Sequence, residues 1–393
     1  HGSMGTFMTS TNLSAPVILQ VLPHMGSGGV PRGVIDIASA QVEAGWTALV
    51  ASQGGYGVHE LKRVGGRHCQ MPLASKNPIT MYRNVQRLRT LVSEQGVSLI
   101  HARSRAPAWS GYYAARASQI PFVTTFHGTY GHSGELKRRY NEVMTRGDAV
   151  IAISGHIAGH IGKVYGVTDK RVRVVYRGID TNLFEPSSVS PERVVALAKQ
   201  WRLTEPIPVI MMSGRLTRWK GQRVLIEALA ILGRQDIRCL FIGDDQGRQG
   251  YMRELEALVK KLNLNNIVHF PGHCRDMPAA YMLADVVVSA STDPEAFGRV
   301  MVEAQAMGRP VVVSGHGASA EVILDGETGW SFTPGDPQTL AQALQEALSL
   351  TEEEREALAC KAISHVASRF TVANMRQQTM DTYREVLQRA GMG

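Results

Sequence analysis

Short apolar runs recur along this chain, and nearly every one leads through a turn into a helical pattern. In the first half the runs are 15–22, 47–52, 98–102, 121–126, 149–153 and 172–176. In the second half they are 208–213, 238–243, 266–270, 286–290 and 310–313. Between them, apolar residues return at helical spacing, as at Val34, Ile37, Ala38 and Val42, or over 79–95, 106–118, 222–232 and 249–262. Strands that alternate with helices pair in parallel, because the crossover needs the helix, and both faces of the sheet are then covered. At 393 residues the chain exceeds one ordinary core. It therefore reads as α/β, with two parallel-sheet domains. The polar, proline-bearing stretch 186–190 reads as the linker between them.

The stretch 293–313 carries the densest chemistry. Asp293 and Glu295 flank Pro294, and Phe297-Gly298-Arg299 opens a helix that Gly308 and Pro310 stop. Glu295 and Glu303 are eight positions apart, just over two helical turns. One carboxylate falls at the helix mouth and the other on the same side within it, with unpaired helix-start N–H groups between. Such an end suits a phosphate, and the flanking acids suit hydroxyls. The alternative is a capped helix with a solvated Glu303.

Three further loops follow strand ends, where ligands bind in open parallel sheets. The first, 23–33, is rich in glycine and brings Gly28 and Gly29 before a helix, without a complete G-x-G-x-x-G pattern. His127 stands just past 122–126, as a ligand or as a loop cap. Gly214, Arg215, Arg218 and Lys220 follow 208–213. A guanidinium and an ammonium there can clamp a diphosphate, whereas Arg218 between them reads as a surface charge. Asp244-Asp245 reads as a loop cap rather than a metal site. Cys274 beside His273 lacks the third partner that a metal or a nucleophile would need.

Composition excludes several classes. No stretch of about 18 apolar residues is present, so nothing reads as a membrane span. The four cysteines are far apart, without metal-ligand spacing, which suits a reducing, cytoplasmic setting. Residues 1–6 read as an expression scar before Met8, and 1–13 as a disordered start. Charge is uneven: residues 1–190 hold 20 Lys/Arg and 10 Asp/Glu, the remainder 22 and 24. A basic first half, with Arg83, Arg87 and Arg89 in one helix and Lys137-Arg138-Arg139 in another, points to an anionic partner. No basic-aromatic interleaving of the kind that grips single strands is seen, so nucleic acid is not the expected partner.

Together, S-G-R-L-T-R-W-K-G (213–221), P-G-H-C-R-D-M (271–277), E-A-F-G-R-V-M-V-E-A-Q-A-M-G-R-P-V-V (295–312) and E-V-I-L-D-G-E-T-G (321–329) resemble the family 4 glycosyltransferases, retaining enzymes of the GT-B fold. Weaker echoes are V-V-Y-R-G-I-D-T-N-L-F (174–184) and T-T-F-H-G (124–128). The resemblance implies two Rossmann-like domains facing across a cleft. These would be an acceptor-side domain over 14–186, a donor domain over 187–371, and a final helix within 372–393 crossing back to the first. It implies a nucleotide-diphosphate sugar, such as a UDP- or GDP-hexose, as donor. Arg215 and Lys220 would clamp the diphosphate, with Gly214 beside them. Glu295 would hold the sugar hydroxyls, Phe297, Gly298 and Arg299 would supply neighbouring contacts, and Glu303 would bind the ribose. His273, Cys274 and Arg275 would rim the nucleobase. His127 would stand near the sugar's C6 group, and Gly28 and Gly29 near the diphosphate. Tyr176-Arg177-Gly178 departs from the more usual Pro-Asn-Gly. No metal or other cofactor is expected, since Arg215, Lys220 and helix ends can neutralise the leaving group. The expected acceptor is a glycan or lipid-linked precursor, as in lipopolysaccharide or surface-polysaccharide assembly, with the basic domain against an anionic inner membrane face. A sugar-nucleotide 2-epimerase of the same fold and a non-enzymatic binder of anionic polymers are the alternatives.

Overall fold

A computed structural model describes residues 14–392, so the readings made for 1–13 lie outside the described residues. The chain forms two compact units. Among the described residues, the first comprises 14–152, 160–175 and 376–392, and the second comprises 153–159 and 176–375.

The first unit holds seven parallel strands: β1 (Val17–Val21), β2 (Thr47–Ser52), β3 (Arg67–Gln70), β4 (Leu99–Ala102), β5 (Phe122–Phe126), β6 (Ala149–Ala152) and β7 (Val172–Val174). Their order is β3-β2-β1-β4-β5-β6-β7, which reverses direction at β1/β4. The central strands are buried throughout, as their near-continuous apolar sequences require. One polar exception is a network around His101 on β4, which is fully buried. Its two ring nitrogens share hydrogen bonds with Tyr383 Oη at 2.5 Å and Thr125 Oγ1 at 2.7 Å. Beside it, buried Arg103 donates to Gln20 Oε1 at 2.6 Å. Tyr383 comes from the last helix, Val372–Arg389, whose buried stripe of Met380, Tyr383, Val386 and Leu387 belongs to this unit.

The second unit holds six parallel strands: β8 (Val209–Ser213), β9 (Arg238–Ile242), β10 (Val268–Gly272), β11 (Val286–Ser289), β12 (Val311–Ser314) and β13 (Gly329–Phe332). Their order is β10-β9-β8-β11-β12-β13, the same reversal of direction at the middle of the sheet. Residues 186–190 are not a free linker. Pro186–Ser188 is a 3-10 turn, and Ser190 caps the helix Pro191–Gln200 by accepting from Arg193 N at 3.4 Å. Residues 176–186 group with the second unit rather than the first. At the departure from Pro-Asn-Gly, the Tyr176 hydroxyl donates to Glu321, whose carboxylate also accepts from Gly155 N at 2.7 Å and His156 N at 3.0 Å. A side chain at Gly178 would collide with the Thr371 backbone at 2.3 Å, which accounts for the retained glycine.

Candidate active site

The second unit gathers polar side chains beyond the carboxyl ends of β8 and β11, the two strands at its reversal point. The turn after β8 is fixed by close backbone approaches. Gly243 (φ 142°) packs so near Gly214 that a Cβ would sit 2.0 Å from the Gly214 carbonyl. Gly221 (φ 80°) packs against Ala290 in the same way, with 1.8 Å left for a Cβ. Only glycine fits either place. The second approach sets Lys220 against the segment that follows β11. Lys220 Nζ donates to Glu295 Oε1 at 2.9 Å and lies 4.5 Å from the centre of the Trp219 ring. Ser291 Oγ donates to the same carboxylate oxygen at 2.5 Å. Lys220 and Glu295 are 17 % and 16 % exposed, so the pair is reachable but mostly dry.

Glu295 is held from behind as well. Its carbonyl accepts from Ala318 N at 2.9 Å, and Gly317 (φ 65°) leaves only 2.7 Å between a hypothetical Cβ and Glu295 N. His316 Nε2–H donates to the Ser291 carbonyl at 2.9 Å. Phe297 is buried, with its ring 6.4 Å from that of Phe370, so it can offer a ligand only its backbone. Gly298 (φ 82°) is the N-cap of the helix Arg299–Ala306.

Glu303 is buried rather than solvated. Its Oε1 accepts from Tyr281 Oη at 2.9 Å and its Oε2 from Arg299 Nε at 3.0 Å. Burial raises this carboxyl above its ordinary value, and Arg299 and Tyr281 pull it back. Burial, and next the Glu303 charge, push the Tyr281 hydroxyl well above its own ordinary value. Glu303, Arg299 and Arg275 line a groove of 610 Å³ together with Phe184 and Arg193. Arg193 is committed to Asp276, at 2.9 and 2.5 Å. Asp276 also caps the helix Met277–Leu283, accepting from Ala279 N at 3.2 Å.

The residues singled out in the sequence therefore fall into distinct settings. Lys220 with Glu295, and Arg299 with Glu303, are brought into contact. Arg215 is exposed and bonds through its carbonyl, which accepts from Gln222 Nε2 at 2.9 Å. His273 and Arg275 are exposed, whereas Cys274 is buried and its thiol is pushed up by that burial. Arg218 is a surface charge, bonded to Glu254 at 2.6 Å by both terminal nitrogens. Asp244 and Asp245 tie their own loop, accepting from Gln246 N at 3.1 Å and Gly247 N at 3.0 Å. Among the described residues, no cluster of three or more His, Cys, Asp or Glu side chains could hold a metal ion. Gly28, Gly29 and His127 belong to the first unit. Gly28 (φ 127°) is the N-cap of the helix Gly29–Glu43, and His127 is half-buried directly after β5. Sequence reasoning missed Ser291, Tyr281, Trp219 and His316 as partners. Trp219 carries a local signal, since it abuts Lys220; the others come into play only through tertiary packing.

Known proteins match this chain along nearly its whole length. The family model described as "Glycosyl transferases group 1" matches residues 196–365, and "Glycosyltransferase Family 4" matches 27–183. A D-inositol 3-phosphate glycosyltransferase of Xylanimonas cellulosilytica is 29 % identical over 76 % of this chain and 74 % of its own length. The crystal structure of a glycosyltransferase from Rickettsia africae is 33 % identical, with TM-score 0.88 over 95 % of this chain and 99 % of that one. Anabaena HepE, solved in complex with UDP, is 28 % identical, with TM-score 0.80 over 94 % and 100 %.

Proposed function

Because the chain belongs to the family 4 glycosyltransferases, built on the GT-B fold, we propose that it moves a hexosyl group, with retention, from a nucleotide-diphosphate sugar to a glycan or lipid-linked acceptor. The observation that carries this reading is the Lys220–Glu295 pair with Ser291 on the same carboxylate. Cleaving a sugar–phosphate bond leaves a diphosphate on which charge builds. An ammonium already in place, helped by Arg215, stabilises that charge more in the transition state than in the ground state. Glu295 accepts hydrogen bonds and suits sugar hydroxyls, which donate them. Glu303 suits the ribose for the same reason. Gly214, Phe297 and Gly298 would lend backbone contacts, His273, Cys274 and Arg275 would rim the base, and Gly28, Gly29 and His127 would act from the first unit.

In this scheme Glu295 orients the sugar rather than attacking it, so the acceptor hydroxyl attacks the anomeric carbon on the face the diphosphate leaves, and the leaving phosphate takes its proton. The positive groups stand in for a metal. The HepE complex with UDP makes a UDP-sugar the first donor to try. A thermal-shift screen of UDP-, GDP- and ADP-sugars, followed by transfer assays, tests the reading. Stabilisation by none of them would overturn it, and a donor converted without any acceptor would favour an epimerase.

The acceptor is anionic in this proposal, in keeping with the basic first unit. Ile79, Tyr82 and Leu136 are exposed apolar side chains beside Arg83 and Lys137, a composition that suits the surface of an anionic membrane. No helix among the described residues is long and apolar enough to cross a membrane. A phosphorylated cyclitol is a second acceptor to test, given the relatives named for D-inositol 3-phosphate.

A further inference from the structure

We propose that Arg299 is a positioning residue that readies Glu303 to receive the vicinal diol of a nucleotide's ribose, holding one carboxylate oxygen while Tyr281 holds the other. This rests on the reading of Glu303 as the ribose ligand. A carboxylate has about four lone-pair sites on its two oxygens. Tyr281 takes one on Oε1 and Arg299 one on Oε2, which leaves one on each oxygen. Two adjacent hydroxyls are the donor pair that matches such a remainder. The carboxylate is thus fixed in rotation before the ligand arrives, and neither existing bond has to break.

The surroundings leave this task to Arg299. From the helix Met277–Leu283, only the neutral Tyr281 reaches Glu303. In the preceding segment, Asp276 is bonded to Arg193 of the helix Pro191–Gln200, so that cation is already committed. Arg275 lines the groove without bonding to Glu303. Arg299 is the cation in contact, 66 % exposed while its partner is 9 % exposed. Burial opposes the charge on Glu303, and Arg299 is the largest influence restoring it. Without Arg299, the carboxyl would take up a proton at higher pH, and a protonated carboxyl turns one acceptor site into a donor and loses its charge, so it accepts from the diol more weakly. Arg299 itself lies mostly in water, but its loss leaves the buried Glu303 carboxylate without its cation, so Arg299→Lys, which keeps the charge, serves as the control for folding.

The test is calorimetric binding of UDP and of 2′-deoxy-UDP to the full chain, comparing the unaltered protein with Arg299→Leu, Arg299→Lys and Glu303→Gln. GDP and its 2′-deoxy form replace them if UDP does not bind. Arg299→Leu should weaken UDP by about three- to tenfold near pH 8, and by more near pH 6. Arg299→Lys should keep the flatter pH profile. The 2′-deoxy ligand, with one hydroxyl fewer, should lose less than UDP does. Unchanged UDP affinity in Arg299→Leu would overturn the proposal. So would equal, pH-independent weakening of both ligands, which would make Arg299 a phosphate contact. If Glu303→Gln weakens UDP while Arg299→Leu is silent, only this inference fails; if Glu303→Gln is itself silent, the ribose reading falls with it.

Discussion

Replacing Lys220 by Met and Glu295 by Gln, singly and together, separates what their contact does for the fold from what each does for the reaction. At 2.9 Å and an effective dielectric of about 20, their attraction is about 6 kcal/mol. Desolvation of two groups that are each less than a fifth exposed cancels much of it. Breaking the pair from one side still strands the other charge in a half-dry place. Each single change should therefore cost about 2 kcal/mol, less than the roughly 3–5 kcal/mol seen for fully buried pairs. The double change leaves no stranded charge and should recover most of that loss in a denaturant titration. Turnover should behave differently. Losing one preorganised group that stabilises developing charge costs about a hundred- to a thousandfold in kcat, and the double variant should recover none of it. Transfer would be followed by released nucleotide, using the donor chosen by the thermal-shift screen. A Lys220→Met enzyme with kcat within a factor of about three of the original would refute the reasoning, and so would a double variant that regains turnover as it regains stability.

Three other outcomes are expected. Gly221→Ala places a Cβ at 1.8 Å from the Ala290 carbonyl and at a left-handed φ of 80°. It should destabilise the second unit by about 3 kcal/mol or more and lower turnover with it, as read by unfolding followed through tryptophan fluorescence. Burial holds the His101 imidazole well below its ordinary value, so folding excludes a proton that the unfolded chain takes up below about pH 6.5. Its contribution is complete above that pH and falls as pH drops; His101→Gln should flatten the acid limb of a stability-versus-pH curve. Excess chelator should leave transfer intact if, as proposed, Lys220 and Arg215 supply the positive charge; complete and metal-reversible loss would refute the metal-independent scheme.

Much of the architecture was readable because central parallel strands are apolar on both faces. Residues 47–52, 122–126 and 149–152 show themselves as runs that nothing else explains. Of the four edge strands, β7 and β10 were readable as apolar runs, and β3 and β13 were not. β3 is Arg-His-Cys-Gln, with exposed ends, and β13 carries Trp330 and Ser331 half in solvent, so neither forms an apolar run. The helix Pro191–Gln200 is short, with Leu197 its one buried side chain, so it shows no strong apolar stripe after the proline-bearing stretch 186–190. At the candidate site, residues that share a motif were legible: Glu295, Glu303 and Arg299 fall within one turn and the helix it opens. Their partners were not. Tyr281 reaches Glu303 from 22 positions away and Lys220 reaches Glu295 from 75, and no periodicity encodes a contact made by tertiary packing.

The membership of Tyr383 in the first unit has a bearing on synthesis. That side chain emerges from the ribosome after the whole second unit, yet it closes over His101, which lies on a strand made before that unit. While the second unit is being translated, the nascent first sheet must wait with part of its apolar face uncovered. Domains usually fold in the order in which they are made. Here the one begun first is finished last, and a stalled or truncated chain would expose a surface that chaperones bind.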